Sequence, residues 1–322
     1  MELLSRSGEP KPLLITGIEY FVQHFIESFS RIYQGRIFAP ELAQEMSRFR
    51  KLSTLAKYLP KVNLWYQIGG SIGPGRVFKL ANLFNTPVVL HWVGTDVLVA
   101  QDYFSKHSEH LQVQSKIVHW AGAPWLADEL KQIGINAQFV PLPLKTVGYF
   151  LSQEPPPLPR QFKILTYIPE RRAAFYGWEH ILRLAEDFPT LDILVIGARG
   201  RFVSSPPPNI HFLGWLHDTA NIFAECSVVV RMTTHDGYGG TIQEGLSLGR
   251  YAIWTYPFPG AFLAKDYVSL RAHIDSLYTL HRRNLLTLNE KGRAYMLQHM
   301  RPENLTANIL RRFQNLLSPG TQ

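Results

Sequence analysis

Short aliphatic runs alternate with helix-length amphipathic stretches along nearly all of the 322 residues, and one segment breaks the pattern: Gln153-Glu154-Pro155-Pro156-Pro157-Leu158-Pro159. Each proline fixes φ and lacks a backbone donor, so this run is neither helix nor central strand and reads as a stiff extended connector. Before it, Leu13–Thr16, Val62–Ile68, Val88–Trp92 and Lys116–Trp120 have the β-branched and aromatic content of buried strands. Helical patterns lie between them, at Tyr20–Tyr33, Glu41–Leu59 and Arg76–Phe84. After it, strands are expected at Phe162–Tyr167, Ile193–Ile196, Ile210–Phe212, Val228–Val230 and Ala252–Trp254, with a helix at Trp178–Phe188 and a helical tail from Leu285. Strand–helix alternation implies parallel sheets covered on both faces. The expected fold class is α/β, with two Rossmann-like doubly wound domains facing a central cleft. These would be residues 1–151 and 161–322, joined by a proline-rich linker at 152–160, with the last helix able to pack back on the first domain. Two domains also suit the length.

Composition narrows the function. Apolar residues make up 46% of the chain, enough for ordinary cores, and no stretch reaches the 18 or so apolar residues of a spanning helix. Met1–Lys11 carries Glu2, Arg6, Glu9 and Lys11 and lacks the apolar core of a secretory signal. The single cysteine, Cys226, supplies neither a disulfide nor a metal-ligand pair. A cytoplasmic protein is expected. The formal charge of +8 favours anionic partners, but the basic residues are dispersed and no nucleic-acid-binding run is present. Arg48, Arg50, Lys51, Lys57 and Lys61, interleaved with Leu52, Leu55 and Leu59, form a basic amphipathic pattern. It is either a solvated helix covering a sheet or a peripheral foot on the anionic inner face of a membrane.

The richest chemistry lies in Thr233-Thr234-His235-Asp236-Gly237-Tyr238-Gly239-Gly240-Thr241-Ile242-Gln243-Glu244-Gly245-Leu246-Ser247-Leu248-Gly249. It follows a buried strand and opens a helix that Gly249 would end. Gly239 and Gly240 at the helix start let an anion approach free backbone N–H groups, where the helix dipole favours a diphosphate. Asp236 before the helix and Glu244 inside it can accept hydrogen bonds from sugar hydroxyls. Taken singly, Asp236 could be a helix cap and Glu244 a solvated helical residue. Their ordered combination with the glycines points to a sugar diphosphate nucleoside.

This segment resembles the E-x7-E signature of retaining glycosyltransferases of family 4, which have the GT-B fold. Asn209-Ile210-His211-Phe212-Leu213-Gly214-Trp215 is similar to the strand and turn preceding that signature. The resemblance implies that Glu244 holds the ribose hydroxyls and that Asp236 meets the donor sugar and the developing positive charge. It also implies that Gly239, Gly240 and Thr241 receive the diphosphate and that Gly214 lies at the donor site. Asp236 stands where the family has glutamate. Tyr167-Ile168-Pro169-Glu170-Arg171-Arg172-Ala173-Ala174-Phe175-Tyr176-Gly177 resembles the family's G-R-L-x-x-x-K-G segment. Arg171 falls on the arginine that clamps the diphosphate, Tyr176 occupies the lysine position, and Arg172 is a nearby substitute cation. Pro87–Asp96 resembles the family's segment carrying a histidine to the donor sugar, a role that would pass to His91. Gly17, after the first strand, falls in the loop that faces the substrates.

Gly70–Val77 has the glycine frame of a P-loop, yet Arg76 and Val77 stand where Lys and Ser/Thr are required, so it is a decoy. No G-x-G-x-x-G follows the first strand, and H-E-x-x-H, C-x-x-C and D-x-D are absent. No cofactor and no dedicated metal are expected. The implied activity is retaining transfer of a sugar from a nucleotide-sugar donor to an unidentified glycan, lipid or small-molecule acceptor. The alternatives are a degenerate domain that binds without turnover, an epimerase or phosphorylase of the same fold, and a membrane-surface interaction protein.

Overall fold

The computed structural model describes residues 11–42, 46–69, 76–114 and 117–318. The elements run β1 (Leu13–Gly17), α1 (Glu19–Phe29), β2 (Ile37–Phe38), α2 (Arg48–Tyr58), β3 (Leu64–Ile68) and α3 (Arg76–Leu83). Next come β4 (Val88–Trp92), α4 (Asp96–Lys106), α5 (Leu111–Gln114), β5 (Val118–Ala121), α6 (Pro124–Gln132), β6 (Ala137–Phe139) and α7 (Lys145–Ser152). Then follow β7 (Lys163–Tyr167), α8 (Trp178–Asp187), β8 (Asp192–Ile196), β9 (Ile210–Gly214), α9 (Ala220–Ala224) and β10 (Val228–Arg231). The chain closes with α10 (Gly240–Ser247), β11 (Tyr251–Trp254), β12 (Phe262–Leu263), α11 (Tyr267–Arg282), α12 (Glu290–His299) and α13 (Pro302–Leu317).

Two compact units result. One takes Met1–Lys145 with Pro302–Gln322, the other Thr146–Arg301. Each holds a six-stranded parallel sheet, ordered β2-β1-β3-β4-β5-β6 in the first and β12-β11-β10-β7-β8-β9 in the second. β3 and β4 are buried along their whole length, as strands covered on both faces must be. The first core gathers Leu13, Ile15, Phe25, Tyr66 and Trp120, and the second Ile164, Ile193, Val228, Val230 and Ile274.

The units divide at residue 145 rather than 151, and packing explains why. α7 turns Val147, Phe150 and Leu151 inward, and Phe150 meets Phe223 of α9 at 5.6 Å between ring centroids. The final helix joins the first unit because Phe313 stacks on Trp120 at 5.5 Å and meets Phe29 edge-on. The proline run, expected as a linker, is strapped to the second unit. Its carbonyls have no partners in an extended chain, and three side chains supply them: Arg293 donates to Gln153, Arg250 to Pro157 and His281 to Pro159. The decoy loop's residues 70–75, Lys116, and residues 43–45 of the expected helix Glu41–Leu59 lie outside the described residues.

Arg250 is fully buried among the core's largest side chains, and its guanidinium donates to the carbonyls of Phe223, Ala224 and Pro157 at 3.1–3.3 Å. Hydrogen bonds from charged groups contribute more than neutral ones, and truncation would leave three carbonyls unpaired. Arg250→Met should destabilise the second unit by about 3–5 kcal/mol. Thermal unfolding monitored in both units should show the loss confined to the second; an unchanged midpoint would contradict it.

Candidate functional site

In doubly wound sheets, ligands bind beyond the carboxyl ends of the strands, where the strand order reverses. In the second unit the chain runs outward from β7 to β8 and β9, then returns to β10 on β7's other side. The reversal therefore lies between β7 and β10. Pairing of Val230 with Thr166 makes Arg231 and Tyr167, the last residues of these two strands, neighbours. The loops that follow them carry the two segments singled out in the sequence. They are tied directly, since Thr234 N–H donates to the Phe175 carbonyl at 2.9 Å.

Asp236 sits at the centre of this arrangement. Its carboxylate forms a two-pronged ion pair with Arg231, through Nε and, at 2.8 Å, through Nη2. It also accepts from Trp254 Nε1 at 3.1 Å and Thr233 Oγ1 at 3.3 Å. Arg231 Nη1 reaches Thr241 Oγ1 at 3.5 Å. The guanidinium lies over the rings of Tyr176 and Tyr167, 5.5 and 5.8 Å from their centroids. Tyr176, standing at the expected lysine position, thus packs beside an arginine delivered by another strand.

Helix α10 begins directly after this pair. Ile242 and Gln243 bond back to the Gly239 carbonyl, so the N–H groups of Gly240 and Thr241 lead the helix. Gly239 has φ of +54°, and a Cβ there would meet the Trp254 indole at 2.7 Å, so only glycine lets the chain turn into the helix at this point. Glu244, one turn further, is buried with 8% exposure. Burial pushes its carboxyl up to about 7, while the Thr146 side chain and the Arg231 charge pull it down. A carboxylate so placed exchanges a proton near neutrality.

The loop after β7 contributes two exposed arginines, Arg171 and Arg172. Arg172 holds φ of +68° and lies over the Phe175 ring at 4.1 Å. Glu170 fixes the loop by accepting from the N–H groups of Arg199 and Arg201 at 2.7 and 2.6 Å. Gly214 ends β9, with β7 and β8 standing between it and β10.

Gly17 and His91 belong to the first unit. Gly17 ends β1 with φ of +138°, and a Cβ would collide with the Ile68 carbonyl at 2.0 Å. It stands where that unit's own strand order reverses, between β1 and β3. His91 is wholly buried in β4, with Nδ1 2.6 Å from the Tyr66 hydroxyl and Trp120 edge-on to its ring. Burial drives its pKa down to about 3, so the imidazole is neutral at ordinary pH.

Arg231 and Trp254 were not singled out in the sequence. An arginine closing the otherwise apolar run Val228-Val229-Val230 was the available signal for the first. Among the described residues one group, the exposed His107 and Glu109 with the half-buried His110, brings possible metal-ligand atoms within 4.8 Å of one another. It follows α4 in the first unit. No described helix is long and apolar enough to cross a membrane.

No protein-family model and no curated protein sequence matches the chain. Solved structures do. A glycosyltransferase from Rickettsia africae ESF-5 is 13% identical with a TM-score of 0.71, the match covering 96% of this chain and 100% of that one. Sucrose-phosphate synthase from Thermosynechococcus elongatus is 13% identical with a TM-score of 0.68 and the same coverage. UDP-GlcNAc 2-epimerase from Neisseria meningitidis, solved bound to UDP-GlcNAc, is 11% identical with a TM-score of 0.54, covering 95% of this chain and 100% of that one. Identities this low establish the fold and nothing finer: the chain is a two-domain α/β protein of the doubly wound, GT-B kind.

Proposed function

We propose that the chain is a nucleotide-sugar-dependent glycosyltransferase whose second unit holds the donor. The observation that carries the reading is the meeting, at one strand-order reversal, of a glycine-led helix start, a buried acidic residue and a basic loop. Gly240 and Thr241 offer N–H groups to a diphosphate, Arg171 offers a guanidinium fork, and Glu244 offers a carboxylate to ribose hydroxyls. Asp236, Arg172 and Gly239 complete the donor side, while Gly214 and, in the first unit, Gly17 and His91 are proposed from the family resemblance alone.

Transfer needs no protein nucleophile. The acceptor oxygen bonds to the anomeric carbon as that carbon's bond to the diphosphate breaks. The electron pair leaves with the diphosphate, and the acceptor's proton passes to the departing phosphate oxygen. Attack from the face of departure gives retention. The residues named supply electrostatic stabilisation of the leaving group, a role that calls for neither cofactor nor dedicated metal. The observed structural likeness to glycosyltransferases supports this reading. A thermal-shift screen of nucleotide sugars, followed by NMR of the product's anomeric configuration, tests it. Stabilisation by one donor and a retained product are expected; inversion would overturn the stereochemical assignment.

Two observations favour a second reading, a binder without turnover: Asp236 is already ion-paired, and a tyrosine stands at position 176. Affinity without product would support it. An epimerase, the activity printed for one structural neighbour, would change the sugar with no acceptor present.

Membrane contact has its own support in α2. Leu55 and, just past the helix, Leu59 are buried, while Phe49 is 82% exposed next to the exposed Arg50, and Lys57 is exposed further along the helix. A peripheral foot of this composition should bind vesicles containing anionic lipid and release them at high salt. Phe49→Ser should reduce co-sedimentation severalfold; equal pelleting with neutral vesicles would refute the electrostatic part.

A further inference from the structure

We infer that Arg231 is the main cation for the donor's diphosphate and that Asp236 is its positioning residue rather than a contact to the sugar. This rests on the donor-site reading above.

Asp236 is already engaged by neighbouring side chains. Both of its oxygens accept from Arg231, and one accepts from Trp254 and Thr233 as well. Oδ2 takes three of these donors, more than its two lone-pair directions offer. A sugar hydroxyl approaching Oδ2 would have to displace one of them, and at either oxygen displacing Arg231 would leave a buried guanidinium without its counter-charge. The carboxylate's chemistry is turned toward the arginine.

Arg231 is differently placed. Guanidinium carries five N–H donors in a rigid plane. Nε and one N–H of Nη2 serve Asp236, and Nη1 reaches Thr241 Oγ1 at the 3.5 Å limit of a hydrogen bond. The plane keeps donors for a further acceptor, on the side where Nη1 meets Thr241. Thr241 is the second residue of α10, so those donors lie beside the leading N–H groups of that helix. The side chain is only 11% exposed and lies against two tyrosine rings, so water screens its charge weakly. A fork held in place by a bidentate carboxylate loses little freedom on meeting phosphate oxygens. Arg171 and Arg172, both exposed, lack this preorganisation.

Calorimetric titration with uridine, guanosine and adenosine diphosphates, and with the three nucleosides, separates the possibilities. Wild type should bind one diphosphate. Arg231→Met should weaken that affinity about 30- to 100-fold and leave affinity for the nucleoside unchanged, while Arg231→Lys should recover part of the loss. Asp236→Asn should weaken binding of the diphosphate and of its sugar conjugate by the same factor, because the residue acts through Arg231. Unfolding midpoints measured alongside identify any variant that fails to fold, and Arg231→Lys then carries the test. Diphosphate affinity unchanged in a folded Arg231 variant overturns the inference and leaves the donor site standing. A loss in Asp236→Asn confined to the sugar conjugate also overturns it, by making Asp236 a sugar contact. Wild-type protein that binds none of the diphosphates overturns the donor-site reading itself.

Discussion

Glu244→Ala should lower kcat/KM for the nucleotide-sugar donor by about 100- to 1000-fold, with most of the loss in KM. Two ribose hydroxyls on one buried carboxylate represent charge-assisted hydrogen bonds worth about 1.5–3 kcal/mol each. They are made in the ground state and in the transition state alike, so their loss raises KM more than it lowers kcat. The same residue gives a pH signature. Its carboxyl is raised from 4.5 to about 7 in the folded chain. Between those values the folded state holds the proton that the unfolded state has released, so stability falls as pH rises from 4.5 through 7. Glu244→Gln removes this slope and should be more stable than wild type at pH 8, by an amount on the order of a few kcal/mol. Donor affinity, which requires the ionised form, should run the other way and strengthen in wild type as pH rises through 7. A Gln variant with wild-type pH dependence in both measurements would remove Glu244 from the site.

Asp236→Ala should cost both fold and activity. It strips the counter-charge from a guanidinium that is 11% exposed, and breaking one side of such a pair costs about 3–5 kcal/mol. The unfolding midpoint of the second unit should fall by roughly 10 °C. Asp236→Asn keeps the shape and an acceptor for Arg231, so it should lose only a fraction of that stability. Near-equal stability of the Ala variant and wild type would show that the ion pair is dispensable. The double variant Asp236→Ala, Arg231→Met should be more stable than Asp236→Ala alone, since no buried charge is then left unpaired.

Most of the sheet framework was legible in the sequence. Core strands of parallel sheets are buried on both faces, so Leu13–Ile15, Val88–Leu90 and Val228–Val230 stand out as continuous apolar runs. The edge strands β2 and β12, two residues each, carry no such run. The proline segment announced a break in secondary structure, but its attachment to the second unit depends on Arg250, His281 and Arg293, from 93 to 140 residues away in the chain. The last helix shows its pairing only through Phe313 and its ring partners Trp120 and Phe29.

The site divides in the same way. Asp236, Gly239, Gly240 and Glu244 are legible because glycines and acids interrupting an apolar pattern need a local reason. Arg231 and Trp254 owe their significance to register. Arg231 becomes part of the site because β10 lies beside β7, and Trp254 because β11 lies on β10's other side and sends its indole to Asp236. Strand order is a non-local property, and spacing along the chain does not encode it.

On the proposed function, the strand-order reversal between β7 and β10 holds a nucleotide sugar and releases its diphosphate. Nucleoside diphosphate release from a panel of nucleotide sugars, offered with mixed glycan and lipid acceptors, measures this directly. Release from at least one donor by wild-type protein is expected, with a fall of at least about a hundredfold in Glu244→Ala at donor concentrations below KM. Release that is equal in the two proteins, or tight donor binding by wild type with no release, would contradict it.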